Sequence, residues 1–582
     1  MAATEDVKNG EGPLAVRKAA ARRFAGWSLV TLLLILALIC LAFTCAASLL
    51  LLVFFVLSEE GGNAWFLTKL IVKCGGSGLL ASALAITVCK RSQARPSLEL
   101  RGSQVSVTTP WLHRLALAGA ILLFLGLCFP NLGRYPKLEP DESHHLIVAR
   151  NLAESGAYAS GHVDTGFRWF DDYDSVGPTV IVPVAAAFKI AGIGLPQGRF
   201  VMAGWFLLLA VLVWLFMRGV FGKFESVVAA AWLMTATGSV YLSRTLYGEA
   251  PALALFVAAL LCWRRAIASD RSAIWGTAAG VLFGLSVVSK LFMILAVWPL
   301  VGALIYDRVS FRRIRTVTLI APAAGAILPV GAWLLVTSAY GPSADGATAG
   351  LVSMYQHNLM FGLRSAKDGL GWLFQEPLKV SFYLVGVIAC VPAIACMRYD
   401  PPAVALLLFG AFNLYWWIFF TPGTTPRYVW YSLAIGAVFT GRFLCLMLKV
   451  SLLRRLTDFD RRPRIIAVPA ALCILGSGFL TALNVGKSVW LDDDMRDDRA
   501  LAAWVRELPR EARIITTDFT VERAMRFLTG RRIDRVQPSS DLGDASAMIF
   551  DTVLREDLVD KLSPFETLGR YGAKRIKTGT GE

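Results

Sequence analysis

The residues best suited to chemistry lie in Leu138–Tyr158, LEPDESHHLIVARNLAESGAY, which follows the apolar run Trp111–Pro130 and opens a polar loop reaching about Val176. This loop holds eight carboxylates, among them the adjacent pair Asp141–Glu142, and three of the chain's five histidines, His144, His145 and His162. A carboxylate here could act as general base on an acceptor hydroxyl or amine. His144 and His145 could join Asp141 around a divalent metal. The plainer reading is that Asp141 and Glu142 hydrate the loop or cap a helix starting near Ser143. Further along stand Arg244 and Glu249 in SRTLYGEAP, Lys290 between two apolar runs, and Arg427 in TPGTTPRYVW. Arginine holds a phosphate by a bidentate fork and lysine as a point charge. Each has a structural alternative: Glu249, two residues before Pro251, suits a helix N-terminus, and Lys290 or Arg427 could snorkel.

What must position these residues is a membrane. Of the 582 residues, 56% are hydrophobic and 17% charged, and the mean hydropathy is +0.57. Soluble domains run about 45–50% apolar and about 25% charged. The apolar runs recur at about 17–25 residues, the length that spans a bilayer core as a helix. The formal net charge of +16 does not indicate nucleic acid, because the lysines and arginines cluster between apolar runs, as cytoplasmic loops require, and no basic groove with interleaved aromatics appears. All ten cysteines lie in or at the ends of apolar runs, which excludes a disulfide framework or a Cys-rich zinc site.

The polar, basic tail 1–25 precedes Gly26–Leu57, too long for a signal-peptide core and read as a retained anchor. Ala64–Cys89, the weaker second span, leads into the basic stretch Lys90–Arg101. Trp111–Pro130 then crosses outward, leaving the first outer loop, 131–176, outside. Gly177–Gly194 is read as juxtamembrane or re-entrant. With that choice the basic connections Arg218–Lys223, Arg264–Arg271, Asp307–Arg315 and Lys449–Arg464 all face inward, in keeping with the positive-inside rule. The later spans are Arg199–Met217, Glu225–Ser243, Glu249–Trp263, Trp275–Ser289, Leu291–Tyr306, Val317–Ala339, Phe374–Met397, Ala403–Phe420, Tyr428–Leu448 and Ile465–Val485.

The expected fold class is an α-helical polytopic membrane protein of about 11–13 spans, with a juxtamembrane catalytic loop and a small C-terminal α/β extracytoplasmic domain. Its segments are a cytoplasmic tail (1–25), two N-terminal helices with a cytoplasmic loop (26–110), a transmembrane catalytic domain (111–486) and a soluble domain (487–582). In the last, Met495–Leu508 and Val521–Leu528 predict helices; Ala512–Thr516, Arg532–Val536 and Ala547–Asp551 predict strands. Alternating short strands and helices make a small α/β unit, here without a Gly-rich nucleotide loop.

This topology gathers Asp141, Glu142, Arg244, Glu249, Lys290 and Arg427 at the outer membrane face. Ionisable groups at the edge of hydrocarbon tend to mark function. The chemistry they suggest is group transfer from a lipid-linked phosphate donor, whose head group lies at that interface.

These motifs resemble a family. An outward helix followed by P-D-E and A-E-S-G-A-Y, then GPTVIVPVAAAFKIAG, RGVFGKFESVVAAAWLMTATGSVYLSRTLYGEAPAL, GLSVVSKLFMIL and PRYVW, resembles the C-type polytopic glycosyltransferases (GT-C), in particular the protein O-mannosyltransferase and lipid A aminoarabinose transferase group. The resemblance covers roughly Trp111–Val485. It implies transfer of a hexosyl or pentosyl unit from a polyprenyl-phosphate donor to a lipid, glycan or protein acceptor on the outer face, usually with inversion. Asp141 matches the first-loop catalytic acid, Glu142 is its neighbour, and Glu249 matches the second acidic position. Lys290, Arg427 and Arg244 are the candidates for the donor phosphate. Members differ in metal use, so no ion follows from the match. The sequence departs from the pattern in three places: His144–His145 stand where an aromatic is commoner, Gly177-Pro178 replaces a double proline, and two helices precede the usual start.

Among rival classes, a secondary transporter or lipid flippase would place ionisable residues near the midplane on broken helices. Here the helix interiors are almost free of charge. A polysaccharide polymerase or ligase would share the donor class, but arginine-rich outer loops would favour it, and Ala339–Trp372 contains just Arg364 and Lys367. Basic loops facing in and chemistry facing out fit a bacterial inner membrane, and an endoplasmic reticulum location would show the same sidedness.

Overall fold

A computed structural model describes the chain from residue 110 to residue 575, except residues 163–165, 171–175, 237, 311–314, 341–399, 421–425, 454–478, 480–481, 537–545, 552–565 and 569. The expected spans Gly26–Leu57, Ala64–Cys89 and Phe374–Met397, and most of Ile465–Val485, lie outside the described residues.

The membrane part is helical. Helix α1 (Pro110–Cys128) leads to α2 (Pro140–Ser155), a hairpin of β1 (Ala159–His162) and β2 (Gly166–Trp169), and α3 (Pro178–Ala191). Then come α4 (Leu195–Val220), α5 (Lys223–Thr235), α6 (Glu249–Ala268), α7 (Ser272–Ser289), α8 (Val297–Ser310), α9 (Val317–Tyr340), α10 (Pro401–Phe420) and α11 (Trp430–Leu453). Among the described residues, α4, α6, α7 and α9 are long and apolar enough to cross a membrane.

Two expected helices differ. The span Glu225–Ser243 stops at Thr235, because Gly238 takes a left-handed conformation (φ +83°) and starts a separate turn, Ser239–Leu242. The indole of Trp430 donates to the Ser239 hydroxyl at 3.0 Å and fixes that turn. The span Leu291–Tyr306 begins as a 3-10 segment, Leu291–Ala296, before α8.

Helices α7 and α9 approach closely through small residues. A Cβ on Gly280 would lie 2.0 Å from the Pro322 carbonyl oxygen, and one on Gly325 2.4 Å from that of Thr277. Gly276, Gly280 and Gly284 repeat every four residues and so share one helix face, the small-residue interface that lets membrane helices pack backbone to backbone. The far side of α9 leaves Ile320, Ile327, Leu328, Leu334 and Leu335 exposed, the surface a bilayer would cover.

The C-terminal part has α12 (Arg496–Glu507), β3 (Ile514–Thr516), α13 (Phe519–Thr529), β4 (Ile533–Arg535), β5 (Ala547–Asp551), β6 (Glu566–Leu568) and β7 (Tyr571–Arg575). Its sheet runs β4-β3-β5-β7-β6, parallel at β4, β3 and β5, with β7 antiparallel to β5 and β6. The Asp518 carboxylate caps α13 by accepting from the Thr520 and Val521 amides, and Gly530 (φ +69°) ends it. Elements α12, α13, β3, β4 and β5 follow the pattern read from the sequence, whereas β6 and β7, which add an antiparallel edge, were not read there. The core of this part is continuous with that of the first loop, since Leu146, Ile147, Val180, Phe188, Met525 and Phe527 belong to one buried cluster. The rings of Phe188 and Phe527 stack at 6.3 Å.

A pH-sensitive contact sits in that part. The buried Asp498 accepts from the Tyr571 hydroxyl at 2.6 Å, and burial pushes its carboxyl up to about 6. The folded state therefore holds this proton more tightly than the unfolded chain does. The contribution to stability is greatest below the ordinary carboxylate range and is lost as pH rises through about 6. The expected result is a melting temperature in detergent that falls between about pH 4 and pH 7, with Asp498→Asn flattening that slope. Thermal melts of both proteins across this range check it.

Candidate active site

Pro140 opens α2 at its first position, where its missing N–H and fixed φ suit a helix start, and Asp141 and Glu142 occupy the first turn. At 3.6 residues per turn adjacent side chains point about 100° apart. The two carboxylates therefore meet different partners. Asp141 pairs with Arg427 at 2.7 Å, their side chains 38% and 23% exposed. Glu142 faces inward and takes a bidentate fork from Arg199, Nε to Oε1 at 2.9 Å and Nη2 to Oε2 at 2.8 Å, with both side chains 0% exposed. Arg199 also donates to the Leu132 carbonyl at 3.0 Å, tying the start of α4 to the base of the first loop.

Segments far apart in sequence close around Asp141. Val176 bridges Lys290 in an isolated antiparallel pair, and the Gly177 amide donates to the Ser289 carbonyl at 3.4 Å. A Cβ on Gly177 would lie 2.1 Å from the Val288 carbonyl oxygen, so this glycine is what permits the approach. Gly248 (φ +85°) starts α6, and a Cβ there would lie 2.7 Å from Val176 Cγ1. Lys290 stands in extended backbone between α7 and the 3-10 segment. Its ammonium donates to the Tyr247 carbonyl at 2.9 Å and lies 3.5 Å from Glu249 Oε1. Arg427, in the 3-10 turn Pro426–Val429, lies over the rings of Tyr247 (4.8 Å) and Tyr428 (5.3 Å).

The structure thus brings Asp141, Glu249, Lys290 and Arg427 together. It places Glu142 and Arg244 in a neighbouring, buried setting. Arg244 is buried and donates to the Leu127 carbonyl at 3.2 Å and to that of Pro130, with its guanidinium 5.5 Å from the Tyr135 ring. That is a cap on the C-terminal end of α1. His144 and His145 are buried with rings edge to face, and His145 Nδ1 lies 2.6 Å from the Leu246 carbonyl oxygen. Among the described residues no group of three or more His, Cys, Asp or Glu side chains is arranged to hold a metal ion. His162 ends β1.

Burial pushes the Asp141 carboxyl up, but the charge and hydrogen bond of Arg427 outweigh it and hold the group below the ordinary carboxylate range. Glu139, at the α2 N-cap, goes the other way: burial raises it, with Glu142 adding to the rise.

Sequence reasoning missed Arg199, Tyr247 and Tyr428. A signal existed for Arg199, a charge just inside the apolar run Leu195–Val220, and such residues face a partner by default. Nothing local marks Tyr247, which flanks Arg427 from a distant segment; Tyr428 stands next to Arg427 in PRYVW, but its sequence position does not show that the ring lies under the guanidinium.

The fold is similar to that of solved ArnT structures. It matches ArnT from Cupriavidus metallidurans bound to undecaprenyl phosphate over 80% of this chain and 98% of that one (TM-score 0.56, 13% identity). The apo form of the same protein matches over 80% and 97% (TM-score 0.53, 13% identity). The Archaeoglobus fulgidus oligosaccharyltransferase tethered with an acceptor peptide matches over 77% and 70%, at a TM-score of 0.46 and 15% identity. More particularly, residues 176–334 match the family model of the dolichyl-phosphate-mannose-protein mannosyltransferases. No curated protein matches the chain.

Proposed function

We propose that this protein is an integral-membrane glycosyltransferase that moves a sugar from a polyprenyl-phosphate donor to an acceptor at the outer face of the membrane. The observation that carries the reading is the convergence of a partly exposed carboxylate, Asp141, with two cations, Arg427 and Lys290, at one edge of the apolar helices. In the reaction Asp141 takes the proton of the acceptor hydroxyl or amine as its oxygen or nitrogen bonds to the anomeric carbon. The bond from that carbon to the phosphate oxygen breaks with inversion. Arg427 and Lys290 receive the polyprenyl phosphate, a charge that grows on leaving. Glu249, 3.5 Å from its ammonium, holds Lys290 in place from the α6 N-terminus. Glu142 and Arg199 hold α2 in place, and Arg244 secures the end of α1.

The same reading puts the N-terminus in the cytoplasm, residues 487–582 on the extracytoplasmic side, and the whole in a bacterial inner membrane with about 11–13 spans. The transferred unit is a pentose or hexose, and the acceptor a lipid, glycan or protein. Undecaprenyl phosphate bound to ArnT supports the donor class.

Purified protein in nanodiscs, offered a panel of polyprenyl-phosphate monosaccharides with membrane extract as acceptor source, is expected to release free lipid phosphate. No release from any donor would overturn the reading. Lys290→Ala is expected to raise KM for the donor roughly tenfold or more, the loss of one charge-assisted contact; an unchanged KM would return Lys290 to a structural role.

A further inference from the structure

His145 lies four residues after Asp141 on α2, so the two side chains share a helix face. Its ring is fully buried, and Nδ1 approaches the Leu246 carbonyl oxygen at 2.6 Å. A carbonyl accepts and cannot donate, so Nδ1 carries the hydrogen and Nε2 presents a lone pair. Among the described residues neither Nε2 nor the hydroxyl of Tyr431 finds a hydrogen-bond partner. Glu249 follows Leu246 by three residues, sits 3.5 Å from Lys290, and acts electrostatically on Tyr431. Polar atoms without partners are rare in a protein interior. Two such atoms beside the Glu249–Lys290 pair point to a polar group that a substrate brings.

Resting on the transferase reading above, we infer that His145 reads the donor sugar, its Nε2 accepting a hydrogen bond from one sugar hydroxyl beside the carbon that Asp141 and the phosphate-binding cations bracket. The ring serves as an acceptor and not as a second base. Burial, with His144 and Lys290 close by, holds it neutral, so protonating Nε2 is unfavourable while accepting a hydrogen bond is not. The donor class is therefore a sugar with a free hydroxyl at that position.

The test compares wild type, His145→Phe and His145→Gln on polyprenyl-phosphate sugars and their monodeoxy analogues, with release of lipid phosphate as the readout. Wild type is expected to lose roughly tenfold or more in kcat/KM on one monodeoxy donor, the size of a lost neutral hydrogen bond. His145→Phe is expected to lose a similar factor on the parent sugar and nothing further on that analogue. His145→Gln, whose amide oxygen can accept, is expected to recover part of the loss. Equal loss by His145→Phe on the parent and every analogue would make His145 structural and overturn the inference. So would wild type that turns over all monodeoxy donors equally, a result independent of whether the variants fold. Wild type inactive on every donor would overturn the transferase reading itself and this inference with it.

Discussion

Asp141→Asn is expected to lower turnover of polyprenyl-phosphate sugar by about 10²–10⁴-fold, the contribution of a general base in the transition state. It is expected to leave folding almost untouched. The Asp141–Arg427 pair is partly exposed, and pairs of that kind contribute roughly 0–1 kcal/mol. The decisive comparison is lipid-phosphate release against melting temperature on the same preparations. Turnover within a few-fold of wild type would remove Asp141 from the chemistry. The pH profile adds a second check. The charge and hydrogen bond of Arg427 hold the carboxyl below the ordinary range, so Asp141 stays ionised well into mild acid. The acid limb of kcat/KM, which reports the free enzyme, should fall below the usual carboxylate value. In kcat that limb should move upward, because a bound phosphate occupies Arg427 and weakens its hold on Asp141.

Arg199→Ala inverts this pattern, with a loss of stability expected at about 3–5 kcal/mol. The substitution leaves the Glu142 carboxylate buried without the fork that now fills both of its oxygens. It also removes the contact to the Leu132 carbonyl that closes the base of the loop. Glu142→Leu with Arg199→Met should restore most of the loss, because replacing a buried ion pair by apolar groups of similar size is often neutral or stabilising. Thermal unfolding of the single and double variants in detergent measures this directly. A single variant that melts within a degree or so of wild type would show that the pair does not anchor α2.

These two variants also separate what was legible in the sequence from what was not. Asp141 and Glu142 are neighbours of the same chemical type, and nothing in PDES distinguishes a partly exposed carboxylate from a buried one. The distinction comes from helical phase: with Pro140 as the first residue of α2, Asp141 turns toward Arg427 and Glu142 toward Arg199. Arg244 and Glu249 likewise sit five residues apart in one motif. Arg244 closes the end of α1 while Glu249 starts α6 beside Lys290. Gly177 looked like a departure from a double proline, yet its lack of a Cβ lets the first loop meet Val288.

The membrane class, the placement of charges at helix ends and the strand-helix alternation of residues 487–582 were determined by the sequence itself. They depend on composition and on periods of a few residues, both of which are local. The tertiary structure decided which ionisable groups meet. It also decided that α13 of the C-terminal part packs on the loop helix α2, through a core shared by Leu146, Phe188 and Phe527. Such contacts join segments hundreds of residues apart, and their partners are chosen by helix phase, by the clearance left at a few glycines and by the cost of leaving a buried charge unpaired. No local stretch of sequence contains those quantities.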